Sequence, residues 1–456
     1  MKSLPKIVKY PVKMDHPNAD IEIYTGEFTL ESDKYKIKIN GELKFKWLPS
    51  IGATFTGTVQ SGAEKLLKDD LDSNYRLIIN EIDMGDCFIV NLAFTDEREH
   101  PKVKGIFTKH FTFGDHSIPV ESISFAIPNL ISFRGATVAT KDDGLSFANV
   151  RTTFENKDFI IILDKSPDYI KRREKLYDEG GYFLFYAGSL AKREGNLNLT
   201  ESRELFFCFD IFLTFLQGQR AKTVFHSGLF EDERAWTDYS NYRIQSFKST
   251  FSWTLYHSSD GLSDLFNNFY SLWKGSSQGK DFLISVVHWY IEANNNSGYT
   301  EGSIILSQVA LELLYNWLVV EKYGLLHGKD AASISASNKI RLLLSKLDIS
   351  TKVPHDFIHL KRFVDSEADL TDAPDCITTI RNALVHSQIE KREKILKISL
   401  DIKLEALQVS LWYIELSLLY ILGYEGKYSN RCIKKPFPMD REMLVPWMNG
   451  REVTRT

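Results

Sequence analysis

The sequence predicts an α+β multidomain protein with a β-rich N-terminal region, a mixed α+β middle and a C-terminal all-α helical bundle. Three observations predict this. Apolar and polar residues alternate with period two through the first 120 residues. Strand-like and helix-like stretches then intermix up to about residue 275. Beyond residue 280 strand signals nearly vanish and apolar residues recur at helical spacing. The expected divisions are a β-rich domain over 1–120, an α+β segment over 121–275, a helical domain over 280–430 and a tail over 431–456.

In the first region, Ile21 to Leu30 and Tyr35 to Trp47 alternate clearly, with Asn40-Gly41 as a turn signal. Ala53 to Val59, Tyr75 to Ile82, Cys87 to Phe94 and Gly105 to Phe113 continue the pattern. A sandwich or barrel-like sheet is the expected form. In the middle, Ile123 to Phe133, Ala136 to Thr140, Phe159 to Leu163, Tyr182 to Ala187 and Ala221 to Leu229 read as strands. Pro167 to Glu179 and Glu201 to Gln217 read as helices. In the last region the expected helices are Asp281 to Asn294, Glu301 to Lys322, Ala336 to Leu347, Phe357 to Asp369, Pro374 to Val385 and Ile395 to Leu422. Pro374 sits where a first-turn proline is tolerated, and Gly423 ends the final helix.

Composition bounds the function classes. The 456 residues contain 56 Lys and Arg against 60 Asp and Glu, a formal charge of −4. A globally basic nucleic-acid coat is excluded, but a local basic patch is not. Four widely spaced cysteines, Cys87, Cys208, Cys376 and Cys432, suit reduced thiols and a cytoplasmic setting better than a disulfide framework or a zinc cluster. Pro5 and Pro11 interrupt the N-terminus, which lacks the apolar core of a signal peptide. No run of about 18 uninterrupted apolar residues is present, so no membrane contact is expected. The nearest approach, Ala406 to Leu422, carries Gln408 and Glu415 and reads as a buried amphipathic helix.

Motifs narrow the choice further. The chain contains no Walker-type phosphate loop, dinucleotide-binding glycine fingerprint, GxSxG elbow, HExxH or EF-hand loop. His355 and His359 are four residues apart, but two histidines without a third ligand make a poor metal site. No metal or cofactor is expected. The informative stretch is Ile380-Arg381-Asn382-Ala383-Leu384-Val385-His386. At about 100° per residue, Asn382 lies about 100° and His386 about 140° around a helix from Arg381. Ile377, Ile380, Leu384 and Val385 fall on the neighbouring arc, expected to face the bundle. Arg381, Asn382 and His386 would then project together. An arginine fork holds phosphate oxygens, and a histidine can move a proton near neutral pH. The same residues near a helix C-terminus would also simply complement the helix dipole.

The Arg381-Asn382-x-x-x-His386 pattern resembles the signature of the HEPN superfamily, many of whose members are metal-independent RNases. Upstream, Ala310-Leu311-Glu312 resembles that family's ALE helix. Downstream, Leu422-Gly423-Tyr424-Glu425-Gly426-Lys427-Tyr428 resembles the tail seen in its members. The resemblance covers about residues 280–430. A long β-rich part before such a domain is similar to the ApeA-like proteins of bacterial anti-phage defence. Ile389 stands where HEPN toxins regulated by nucleotidyltransferase antitoxins carry a tyrosine.

The resemblance implies an endoribonuclease in which the ribose 2′-OH attacks the adjacent phosphate. His386 would be general base or acid, Arg381 would stabilise the charged phosphorane, and Asn382 would orient His386 or bind a phosphate oxygen. It also implies a homodimer through the bundle, an RNA substrate with tRNA as one candidate, and a phage-derived trigger sensed by the N-terminal region.

Glu312 has two readings: it orients Arg381 or His386, or it reaches solvent. The basic run Lys391, Arg392, Lys394 and Lys397 is either a solvated helix start or a track for the RNA backbone. Residues 281–456 hold 21 Lys and Arg against 22 Asp and Glu, so any RNA groove must be local. The alternative to an enzyme is a non-catalytic dimerisation or nucleotide-binding protein with a β-rich recognition domain.

Overall fold

A computed structural model describes residues 4–62, 74–94, 100–108, 111–140, 146–240, 242–255, 258–295, 299–385 and 398–448. The chain divides into two compact units, Met1–Asp210 with Ala221–Lys248, and Ile211–Arg220 with Ser249–Thr456.

The first unit opens with six antiparallel strands: β1 (Ile21–Glu31), β2 (Lys36–Lys46), β3 (Gly52–Ser61), β4 (Tyr75–Ile79), β5 (Ile82–Ala93) and β6 (Lys102–Phe107). They close into a barrel in the order β1-β2-β3-β6-β5-β4, with β4 pairing back onto β1. The alternation has a direct cause. Ile37, Ile39, Leu43 and Phe45 of β2 are buried inside, while Lys36 and Lys38 point outward.

Asn40-Gly41, expected as a turn, lies instead in the middle of β2. Gly41 pairs with Gly26 on one side and Gly57 on the other. A Cβ at Gly41 would come within 2.1 Å of the Thr56 carbonyl oxygen, so the glycine permits a close strand approach rather than a reversal. The actual hairpin turn is Asn80-Glu81, both at positive φ (49° and 67°), which splits the expected Tyr75 to Ile82 strand.

The rest of the first unit is an eight-stranded antiparallel sheet. Its strands are β7 (Thr112–Gly114), β8 (Ser122–Pro128), β9 (Ala136–Ala139), β10 (Phe147–Glu155), β11 (Phe159–Lys165), β12 (Leu184–Lys192), β13 (Val224–Phe230) and β14 (Glu233–Asp238). Their order is β7-β14-β13-β8-β12-β11-β10-β9. Helix α1 (Tyr169–Glu179) links β11 to β12, and α2 (Leu199–Gln217) links β12 to β13. The dividing line between the units falls inside α2.

The high aromatic content has a structural destination here. Phe45 meets Phe225 edge-on at 4.9 Å, Trp47 stacks on Tyr182 at 5.2 Å, and Phe107 stacks on Phe111 at 4.0 Å. Such contacts join barrel and sheet through one aromatic core. On the sheet, Phe206 of α2 lies flat against His226 at 3.9 Å.

The second unit is mainly helical. Among the described residues its α-helices are α3 (Leu262–Gly275), α4 (Ser277–Asn294), α5 (Tyr299–Tyr315), α6 (Gly328–Ser333), α7 (Ala336–Lys346), α8 (Ile358–Ser366), α9 (Ala373–Val385) and α10 (Leu400–Ile421). A π-helical segment, Asn316–Lys322, extends α5, so the single helix expected over Glu301 to Lys322 changes pitch partway. The helix expected from Ile395 begins at Leu400, because Ser399 accepts a hydrogen bond from the Ile402 N–H and caps it.

Tyr299–Lys322 and Leu400–Ile421 are long and apolar enough to cross a membrane. Along Leu400–Ile421, most residues are buried in the bundle, which accounts for its apolar composition. The expected 431–456 tail contributes β16 (Glu442–Leu444), which pairs with β15 (Lys427–Ser429) just before it, and Arg431 is buried.

Candidate functional site

Helix α9 carries the first two residues of the Arg-Asn-His pattern. Its inner face is built from Ala373, Cys376, Ile377, Ile380 and Ala383, all buried. Val385, expected on that face, is 44% exposed. The buried arc centres about 90° from Arg381, and Val385 lies about 40° to the other side of Arg381, away from the core. Leu384 is half-buried at the margin.

Arg381 is half-buried and Asn382 exposed. The Arg381 Nη1 donates to Asn382 Oδ1 at 3.1 Å. Among the described residues this is the one hydrogen bond of the Arg381 side chain, which leaves most of its five N–H donors open. His386 and the basic residues Lys391, Arg392, Lys394 and Lys397 lie outside the described residues.

The start of α9 is fixed by a charge cluster that the sequence reading missed. Arg341 on α7 makes a two-pronged contact with Asp372, Nε to Oδ2 at 2.8 Å and Nη2 to Oδ1 at 2.7 Å. Its Nη2 also lies 2.5 Å from Asp375 Oδ2. Asp372 Oδ1 accepts from the Asp375 N–H at 3.1 Å and caps the helix, while Thr371 Oγ1 donates to Asp375 Oδ2 at 2.6 Å. The hydrogen bond to Asp372 raises the Arg341 pKa further above its ordinary value. Burial pushes the Asp375 carboxyl up, but its bonds to Arg341 and Thr371 outweigh that and hold it below the ordinary range. Asp372 three residues before Asp375, next to Pro374, was the available signal; the partner Arg341 is distant in sequence.

Glu312 is exposed, and its Oε1 accepts from Lys339 Nζ on α7 at 2.6 Å. Its ion-pair partner among the described residues is Lys339 rather than Arg381, and His386, the other residue of that reading, lies outside them. His355 is exposed and bonds to Asp356 at 3.2 Å, and His359 is also exposed. Among the described residues, no group of three or more His, Cys, Asp or Glu side chains is placed to hold a metal.

The Leu422 to Tyr428 stretch is a helix stop followed by a tight turn. Gly423 takes φ 65°, and the Tyr424 N–H bonds back to the Leu419 carbonyl at 2.9 Å. The buried Tyr428 hydroxyl accepts from Trp412 Nε1 at 3.0 Å.

The same unit encloses a second arginine. Arg431 Nε donates to Glu415 Oε2 at 3.0 Å and its Nη2 bonds to Glu415 Oε1. Gln408 and Asn294 accept from it at 2.9 and 3.0 Å, and Tyr290 donates to Glu415 Oε1 at 2.6 Å. Burial disfavours the charged arginine, but Glu415 outweighs it and raises the pKa. This cluster is saturated and closed to solvent, so it serves the bundle rather than a ligand.

Comparison with known proteins gives two family-model matches. Residues 276–439 match the YopA C-terminal domain, and residues 115–250 match the YopA central domain. No solved structure matches the chain. The chain is 29% identical over 436 residues to the SPbeta prophage-derived uncharacterized protein YopA of Bacillus subtilis (strain 168), an alignment covering 94% of this chain and 95% of that protein.

Proposed function

We propose that this chain is a metal-independent endoribonuclease of the HEPN type, acting in the cytoplasm as a homodimer in anti-phage defence or as a toxin. The observation that carries the reading is the Arg381–Asn382 pair, turned outward on a helix whose opposite side is anchored in the bundle. Arg381 keeps donors free for phosphate oxygens. His386, four residues after Asn382 in the sequence, supplies the proton transfer in this reading.

In this reaction the 2′-OH oxygen forms a bond to the adjacent phosphorus and gives its proton to a base. The bond to the 5′ oxygen breaks, and that oxygen takes a proton from an acid. The products are a 2′,3′-cyclic phosphate and a 5′-OH. Arg381 stabilises the charge that builds on the phosphorane. The nucleophile belongs to the RNA, so the chemistry assigns no role to a metal. tRNA is the first substrate to try, and the β-rich unit is the candidate sensor of a phage-derived trigger. The prophage origin of the relative supports a setting of phage–host competition.

The test is incubation of purified protein with total RNA in EDTA and mapping of the ends. Cleavage with cyclic-phosphate ends is expected. Cleavage that needs a divalent metal, or an H386A protein as active as the wild type, overturns the reading.

A second reading is a non-catalytic dimerisation or nucleotide-binding protein. It is favoured by apolar side chains left exposed on the helical unit, among them Val309, Val385 and Leu400 at 39%, 44% and 59%.

A further inference from the structure

The loop after β8 is held by side chains from three directions. Tyr169 Oη donates to the Leu130 carbonyl at 3.2 Å. Tyr186 Oη donates to the Ile131 carbonyl at 2.9 Å and accepts from the Phe133 N–H at 2.8 Å. Lys165, the last residue of β11, donates from Nζ to the Phe133 carbonyl at 2.8 Å and lies 2.7 Å from Ser132 Oγ.

Three features set this serine and lysine apart. Among the described residues Lys165 has no carboxylate partner; its other neighbour is the Tyr169 ring, 5.5 Å from Nζ. Burial therefore acts unopposed and lowers its pKa below the ordinary lysine range. Secondly, the Ser132 N–H has no hydrogen-bond partner among the described residues, so it is free to donate. Thirdly, Ser132 is half-buried rather than enclosed, so its hydroxyl remains reachable.

We propose that Ser132 and Lys165 form a nucleophile–base pair that cleaves small, uncharged acyl esters or amides. In its deprotonated form the Lys165 amine takes the Ser132 hydroxyl proton as Oγ bonds to the acyl carbon. The Ser132 N–H donates to the oxygen that becomes negative. The bond to the leaving alcohol or amine then breaks, and Lys165 hands that group the proton. Water attacks the acyl-serine, again losing its proton to Lys165, and frees the carboxylic acid. The net change is hydrolysis of one acyl bond by one water. The Tyr169 ring, 5.5 Å from Lys165 Nζ, sets an aromatic face beside the pair, which favours an apolar acyl group. This activity is independent of the RNA chemistry proposed for α9.

The competing account is that Lys165 only pins the loop. Lys165→Arg separates the two, because arginine keeps the N–H donors but does not give up its proton. The full-length protein is treated with a small fluorophosphonate and an aryl ester, and Ser132 modification is followed by peptide mass spectrometry. Wild-type protein should be modified at Ser132, at a rate that rises with pH through an apparent pKa below that of free lysine. S132A should not react at that peptide. K165R should react about 100-fold slower or less, with its fold unchanged by circular dichroism. Unmodified Ser132 in the folded wild-type protein overturns the proposal, as does a K165R rate equal to that of the wild type.

Discussion

Two arginines of the helical unit lie in opposite circumstances. Arg431 is enclosed, and its guanidinium bonds to Glu415, Gln408 and Asn294 over the ring of Phe251. Arg381 is half-buried and bonds to its neighbour Asn382. A saturated arginine stabilises the bundle because its donors are spent inside it. An arginine with open donors contributes little to the fold and is the one available to a phosphate. Stability rests on the enclosed arginine, and the RNA chemistry proposed above rests on the open one.

Substitution at the enclosed cluster should give the largest effect. Glu415→Ala leaves Arg431 buried without its counter-charge and should cost about 3–5 kcal/mol. Urea denaturation of E415A reads this directly; a loss under about 1 kcal/mol would mean that water reaches the cluster.

At the half-buried arginine the contrast reverses. Arg381→Lys keeps the charge and loses the fork. RNA cleavage should fall by about 100-fold, while stability should change by no more than about 0.5 kcal/mol. An R381K protein that cuts at full rate would reduce Arg381 to a partner of the helix dipole. Mixing active protein with excess H386A should depress activity below simple dilution if two protomers share a site, and a monomer that still cuts RNA would refute the shared site.

The clamp on α9 lies between the two extremes. Arg341→Ala removes the partner of Asp372 and Asp375 and should cost about 2 kcal/mol, read by thermal or urea unfolding. Because Asp375 has a depressed pKa, its stabilisation is present above the unfolded carboxylate pKa and is lost as pH falls through the folded one. The wild type should therefore lose this contribution in acid, and R341A should lose less.

The smallest effect belongs to the β-rich unit, where burial encloses a neutral pair instead of a charged one. Asp210 accepts from the Thr223 N–H and hydroxyl at 2.7 and 2.8 Å, and His226 Nε2 lies 2.8 Å from Thr223 Oγ1. Burial raises Asp210 to about 7 and lowers His226 to about 3. The folded Asp210 holds a proton that the unfolded chain releases, so its contribution fades as pH rises from about 4 toward 7. The folded His226 refuses a proton that the unfolded chain takes, so its contribution fades as pH falls from about 6.5 toward 3. The two slopes oppose each other between about pH 4 and 6.5. Asp210→Asn should expose the histidine slope, with stability rising by up to about 1.4 kcal/mol per pH unit in that window. Urea midpoints of D210N across that range that parallel the wild type would show that the pair does not titrate as described.

Much of this architecture was legible in the sequence. Period-two alternation in Lys36–Lys46 dictates a strand with lysines outside, because successive side chains must face opposite ways. Helical spacing, Pro374 and Gly423 placed most of the C-terminal helices, because local backbone preferences need no distant partner. The Arg381-Asn382 adjacency and its outward face were also legible from helix geometry alone.

Other features required distant parts of the chain to meet. Asn40-Gly41 reads locally as a turn, and only Gly26 and Gly57 across the barrel make it a close strand crossing. Glu415 reads as an interruption in an apolar helix until Arg431 and Tyr290 arrive to satisfy it. Lys165 and Ser132 are 33 residues apart, and the pairing of strands across the sheet sets their 2.7 Å approach. Sequence determines what each segment prefers; which buried polar groups find partners is decided when the segments pack, since an unpaired buried charge is too costly to remain.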